Sequence, residues 1–458
     1  MKQQSKQQWI QYGILGFVVL CVVTYFVMMR GWELSAFSKA ELKTQHGMIP
    51  IHSEKLENGA TIAIVPLKEL PMVDVLLWFD AGSARDGAQW GVSHLTARLI
   101  GEDTTVLNAQ KIHDGFESVG AQFDANTSRD VFGIHLRTLS DSTALDPSTQ
   151  MLETLLRETA FKPDSVAREK SRVLADIQSK QDSPNLTTSD AFFMKVYGDH
   201  PYAHPVTGVA QTVTPLTADN LQAFYQQQIV QSHATVVIVG DISPRDGLKL
   251  AKRLLAALPV GTPTIPLAQP VLPAQSTYKI TFSSTQTHLM FGLPALEKGN
   301  PDFFSMTLGN NILGGPFTSH LFETVREKEG LAYNVSSQLM SLRVPGPFYV
   351  YLQTRTSEAA KALELSRTTL TNFMTAGPTD AELAAAKQNV NGTFLLSLSG
   401  NSAIAIHVAT LGFYGLPWDY ADQFQAKINA VKREDVVAAF QKYIHPDHLT
   451  EIVLGNDQ

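Results

Sequence analysis

Pro259-Val-Gly-Thr-Pro263-Thr-Ile-Pro266-Leu-Ala-Gln-Pro270-Val-Leu-Pro273 places five prolines in fifteen residues. Proline lacks a backbone N–H and holds φ at about −65°, so this run resists helix interior and central strand and reads as an extended connector. The same order of elements is expected on both sides of it. Before it, Lys55 to Pro66 (KLENGATIAIVP) reads as a hairpin closed by Asn58-Gly59, a dipeptide suited to a tight turn. Val73 to Phe79 follows as a strand, Gln89 to Ile100 and Ala109 to Val119 as helices, and Gln122 to Leu139 as a strand pair turning near Asn126 and Ser128. Helices are expected over 148–158, 164–178, 219–228 and 245–258, with a strand at 234–239. After the prolines come strands at 278–282 and 288–292, a helix at 302–313 and a strand pair within 332–353. Helices at 358–375, 379–396 and 432–443 and a strand at 449–454 close the chain. This order implies an α+β unit made twice, as domains over 36–258 and 274–458 joined by the linker 259–273.

With 458 residues, 44% of them hydrophobic, the chain can build more than one core. A net charge of −7 and the lack of a lysine or arginine run give no footprint for nucleic acid. Cys21 is the only cysteine, so neither a disulfide framework nor a cysteine-based metal site or nucleophile is available.

Ile10 to Met29 (IQYGILGFVVLCVVTYFVMM) holds 20 residues without a charge, and a helix of that length spans about 30 Å, the thickness of a bilayer core. Trp9, Tyr25 and Trp32 sit near its ends, Lys2 and Lys6 precede it and Arg30 follows. Residues 1–35 therefore read as a cytoplasmic N-terminus and single-pass anchor, with 10–29 in lipid. The rest then lies outside the cytoplasm, in the periplasm if the inner membrane of a Gram-negative bacterium is the host. A cleaved signal peptide ending near Ser35, Ala36 and Ser38, and a buried core helix, are the competing readings.

Two segments carry chemistry. The first runs from Ala81-Gly-Ser-Ala-Arg-Asp through Gly91-Val-Ser-His94-Leu-Thr-Ala97-Arg98 to Gly101-Glu-Asp-Thr104. Residues four apart on a helix share a face, which is how His-x-x-Glu-His presents two zinc ligands with a glutamate placed to activate the bound water. This segment resembles the zinc-helix region of the pitrilysin/insulinase metallopeptidases, the inverted zincins. Only the first histidine, His94, matches. Ala97 stands in the place of the catalytic glutamate and Arg98 in that of the second histidine. The stretch Glu169-Lys-Ser-Arg-Val-Leu-Ala-Asp176 resembles the family's third-ligand helix, with Asp176 in the ligand's place and Glu169 at the supporting acidic position. Alanine transfers no proton and a guanidinium only donates hydrogen bonds, so the chain is expected to bind no metal in the family's manner. Arg98 is expected to replace the zinc charge and to pair with Asp176 or Glu169.

The second segment is Leu313-Gly-Gly-Pro-Phe-Thr-Ser-His-Leu-Phe-Glu-Thr-Val-Arg326-Glu-Lys-Glu-Gly330-Leu-Ala-Tyr333-Asn-Val-Ser-Ser337. It resembles the same family's other diagnostic block, in which an arginine and a tyrosine seven positions on reach the substrate carbonyl and the developing oxyanion. Arg326 and Tyr333 are in register with that pair. On residues alone, Arg326 could equally be a surface ion-pair partner of Glu323 or Glu327, and Tyr333 an aromatic at a core edge. A phosphate loop at Gly314-Gly315 is disfavoured, because Pro316 removes a donor and no Lys-Ser/Thr follows. His200 and His204 lie between prolines and read as structural loop residues.

The resemblance extends over about residues 46–458. It implies two similar α/β-sandwich domains with mainly antiparallel sheets. The implied role is that of a non-zinc-binding subunit, probed by an extended peptide or unfolded protein at a sheet edge, that lends Arg326 and Tyr333 to a partner carrying zinc and His-x-x-Glu-His. The alternative is a catalytically silent scaffold or peptide-binding protein of a membrane complex.

Overall fold

The computed structural model describes residues 43–45 and 47–456, so the segment 10–29 read as an anchor lies outside the described residues. Thr44–Gln458 forms one compact unit, which holds all of the described residues but Lys43. Among the described residues no single helix is long and apolar enough to cross a membrane.

The first half supplies strands β1 (Lys43–Gln45), β2 (Ile51–Lys55), β3 (Thr61–Pro66), β4 (Met72–Phe79), β5 (Gln122–Thr127), β6 (Phe132–Leu139) and β7 (Ala234–Gly240). They form one sheet in the order β1-β2-β3-β7-β4-β6-β5. The second half supplies β8 (Ser276–Thr281), β9 (Gln286–Leu296), β10 (Ala332–Leu339), β11 (Gly346–Arg355) and β12 (Thr450–Gly455), in the order β10-β11-β9-β12-β8. The series β3-β7-β4-β6-β5 and β8-β12-β9-β11-β10 are the same topology. In each series the last strand in sequence inserts beside the first and pairs with it in parallel, β7 with β3 and β12 with β8, and β1 and β2 extend the first sheet beyond β3. The other pairs of these two series are antiparallel. The repeat read from element order is thus present strand for strand, and the sheets are mainly antiparallel.

Each sheet buries one face under helices of its own half, giving separate cores around Leu77, Leu95 and Leu152 and around Phe291, Phe348 and Phe440. The opposite faces are covered by exchange. The Asn401–Tyr414 helix lays Ala405, Val408 and Ala409 on Ala63, Leu76 and Val237 of the first sheet. The Pro184–Tyr197 helix lays Phe192 and Val196 on Met290 and Ile452 of the second. A sheet buried on both faces needs apolar residues at successive positions, and β7 is buried along its whole length. The first of these helices was not among the expected elements, and neither was the second. The helix expected from 148 starts at Ser142, capped by Asp141, and runs through Pro147.

Residues 259–275 form no helix or strand, as the prolines require. They are held as a strap by side chains that reach the backbone: Arg85 Nη1 donates to Ile265 O at 2.7 Å and His200 Nε2 lies 3.0 Å from Ala268 O. His204 is buried and stacks on Trp90 at 5.1 Å between centroids. Both histidines therefore do structural work, as read from the sequence.

Polar contacts lock the exchanged elements. Asp130 is 2% exposed, and its carboxylate accepts from Tyr202 OH of its own half. From the other half it accepts the Arg343 N–H at 2.8 Å and Tyr414 OH at 2.9 Å. Asp74, fully buried, accepts from Arg137 Nε at 3.0 Å and from Ser402 Oγ of the other half at 2.8 Å. Replacing Asp130 by alanine leaves three donors without their acceptor, one of them, Tyr202 OH, fully enclosed, so Asp130→Ala is expected to lose about 3–5 kcal/mol of unfolding free energy in urea denaturation. A loss under about 1 kcal/mol would mean that this carboxylate does not join the halves.

Candidate functional site

The Val92–Leu99 helix begins at Gly91, whose φ of 92° is left-handed, and a Cβ there would lie 2.7 Å from Thr207 O. Asp86 fixes the start by accepting the backbone N–H groups of Gly91 at 2.7 Å and Ser93 at 3.1 Å. Val92, Leu95, Thr96 and Leu99 are buried, which leaves His94 and Arg98, one turn apart, on the opposite side. The Pro163–Gln181 helix passes alongside and presents Glu169 and Asp176 two turns apart.

Arg98 bridges both carboxylates. Its Nε and Nη2 lie 3.2 and 3.1 Å from Glu169 Oε2, and Nη1 lies 3.9 Å from Asp176 Oδ2. Glu169 is 2% exposed, and besides Arg98 it takes Arg172 Nη1 at 2.5 Å and Arg168 Nε at 3.8 Å. Burial and the adjoining Arg98 charge push the His94 pKa down to about 4, so the imidazole is neutral at neutral pH.

A zinc ion does not fit these residues. His94 offers one neutral nitrogen, Ala97 offers nothing, and the guanidinium already neutralises the carboxylates that a metal would need. Among the described residues no three His, Cys, Asp or Glu side chains are grouped so as to hold a metal.

Arg326 and Tyr333 come together elsewhere. The Phe322–Lys328 segment is a π-helical turn, wider than an α-turn, and Gly330 at φ 60° ends it. The chain then enters β10, the edge strand of the second sheet, with a register shift between Ala332 and Asn334 opposite Thr354 and Gln353. Tyr333 is the extra residue of this β-bulge, which turns its side chain away from the pleat and leaves it 75% exposed. The Arg326 guanidinium carbon lies 5.2 Å from the Tyr333 ring centre and 4.5 Å from that of Phe322. Phe317, 77% exposed, packs on Phe322 at 5.0 Å and extends the row. Neither phenylalanine was singled out from the sequence, although Phe322, four residues before Arg326, carries the helical signal for a shared face. The nearest carboxylate to Arg326 is that of Glu327, at 3.9 Å from Nε.

The seven residues therefore form two groups, His94 with Arg98, Glu169 and Asp176, and Arg326 with Tyr333; Ala97 is buried in the first helix. Among the described residues no hydrogen bond or ion pair joins the groups. Each group stands by an outer strand, since the Val92–Leu99 helix packs beside β5, the edge of the first sheet.

A duplicated sandwich with a degenerate metal helix in one half and an arginine–tyrosine pair in the other defines a pitrilysin-like protein. The chain belongs to the M16 family of insulinase and pitrilysin peptidases. The family model for insulinase (peptidase family M16) matches residues 62–209, and that for the peptidase M16 inactive domain matches 215–390. A crystal structure of a peptidase M16 inactive domain from Pseudomonas fluorescens superposes with a TM-score of 0.86 at 32% identity, covering 89% of this chain and 98% of that one. A Streptomyces coelicolor protein named as an uncharacterized zinc protease is 28% identical over 411 residues, 87% of this chain and 88% of that one. A Bacillus subtilis protein of the same description is 25% identical over 352 residues, 76% of this chain and 84% of its own. A protease from Helicobacter pylori shares the fold, with a TM-score of 0.81 at 20% identity over 89% of this chain and all of its own 100%.

If Arg98 occupies the place of the metal charge, the triple variant Ala97→Glu, Arg98→His, Asp176→Glu should gain a site. It is expected to retain about one zinc per chain after dialysis, by mass-spectrometric metal analysis, against none for the parent. Equal metal in both would contradict this account of the site.

Proposed function

We propose that this chain is the non-zinc-binding subunit of a two-component M16 peptidase, anchored in the inner membrane through residues 10–29 with its body in the periplasm. The partner carries zinc on its own His-x-x-Glu-His helix. This chain contributes Arg326 and Tyr333, which donate to the substrate carbonyl and to the oxyanion that develops when the zinc-bound water attacks. One contrast carries the reading: the metal position is filled by the chain's own Arg98, whereas Arg326 and Tyr333 stay together on a bulged edge strand, with Tyr333 open to an incoming molecule.

Chemistry supports the division of labour. Donors preorganised at a developing negative charge act on the transition state more than on the ground state, and losing one costs about 10²–10³ in turnover. A phenol and a guanidinium are suitable donors, and neither needs metal in its own chain. The substrate class follows from the scaffold. An extended peptide can complete the backbone hydrogen bonds of an edge strand such as β5 or β10, which selects unfolded segments over folded proteins.

Mixed with its zinc-bearing partner, the chain should raise peptide turnover well above that of the partner alone. Arg326→Ala and Tyr333→Phe should each lower kcat of the mixture by about 10²-fold while leaving assembly by gel filtration intact. Full activity in both variants would reject the role given to this pair.

A further inference from the structure

Away from both groups, a cavity of about 710 Å³ opens between the turn that follows β9 and the helices Asn401–Tyr414 and Tyr420–Ala430. Its volume falls within the usual range of small-molecule sites, about 300–1,000 Å³. The wall is aromatic: Phe394 stacks on Phe424 at 3.7 Å and Phe304 on Tyr420 at 6.0 Å.

The polar groups in this wall are unevenly matched. Lys298 lines the cavity, yet among the described residues its ammonium has no carboxylate within ion-pair distance. It lies only against the rings of Phe303 at 5.9 Å and Tyr414 at 5.7 Å. Burial lowers its pKa, and the pull of Asp130 acts on it from a distance. Lys427 at the rim contacts the Phe304 ring at 5.5 Å. His407 also lines the cavity, and its enclosed Nε2 has no hydrogen-bond partner. The one carboxylate in the lining, Asp435, already accepts the Lys432 N–H at 2.8 Å. An ammonium half-buried against aromatic rings is costly without a counter-charge, and the wall holds no free carboxylate to supply one.

We propose that this cavity binds an organic acid with an apolar body, its carboxylate paired with Lys298 and its body against the aromatic wall. A bare inorganic anion would leave that wall unused, and a cationic ligand would meet two lysines. The same carboxylate chemistry is found in free aryl or alkyl acids and in the C-terminus of a peptide ending in an apolar residue.

Titration calorimetry on the full-length chain tests this with four probes: 4-phenylbutyrate, its amide, and an acetylated tripeptide ending in phenylalanine as free acid or as amide. Binding of either acid, with its amide weaker by about tenfold or more, is the expected result. Which acid binds tells a free acid from a peptide end. Lys298→Met, which keeps the stem and removes the charge, should weaken the acid by about tenfold and leave the amide unchanged. No heat from either acid at millimolar concentration, or equal affinity for acid and amide, would overturn the proposal. The comparison of acid with amide needs only the parent chain, so it stands even if the variant fails to fold.

Discussion

Asp130 is the point through which the two halves of this protein are fixed. Its carboxylate sits at the end of a strand turn in the first half and accepts donors from Tyr414 and the Arg343 backbone of the second. The Arg343 side chain lies between the halves as well, 3.7 Å from Asp80 and 4.3 Å above the Phe413 ring. Around these groups each half lends a helix to the other's sheet, so neither sheet can close its outer face alone. A connector that only tethers would let the halves swing. Here the connector is strapped down by side chains of the first half, and the exchanged helices make Thr44–Gln458 a single compact unit. The placement of the β5 and β10 edges, and of every residue proposed to meet a substrate, follows from that constraint.

Electrostatics then separates the two groups. A buried carboxylate such as Glu169 is costly unless cationic partners compensate it. In this chain guanidinium groups satisfy it, with Arg98 reaching across from the helix that would carry the ligands. An arginine in that place neither activates water nor opens a coordination position. Among the described residues Arg326 pairs only with the exposed Glu327, at 3.9 Å from Nε, and lies against the faces of Phe322 and Tyr333. A guanidinium kept on rings retains its N–H donors for another molecule.

Much of this was legible in the sequence. Alternating and helical periodicities placed most strands and helices within a few residues, and the proline run marked where the repeat begins again. The pairing of Arg98 with Asp176 or Glu169 was expected because the family resemblance set those carboxylates opposite the first helix and an unpaired buried carboxylate is costly; the structure has Arg98 reach both. The exchanged helices were not legible. Asn401–Tyr414 is apolar on most sides, so it has no stripe from which a face can be read, and the periodicity that marks a surface helix is absent. The bulge at Tyr333 was hidden for a different reason: a register shift is settled by the partner strand, and a single strand's sequence does not contain it. The row from Phe317 to Tyr333 depends on that bulge and on a π-turn, neither of which has a residue signature.

As one part of a divided active site, the protein would bring an open pair of donors on a rigid frame and no metal of its own. Metal content of the complex purified with its partner is the most direct measurement. The account predicts one zinc per pair of chains, lost when the partner's motif histidines are replaced and retained when His94 of this chain is changed to alanine. Zinc that survives removal of the partner's ligands, or that disappears with His94→Ala, would contradict it.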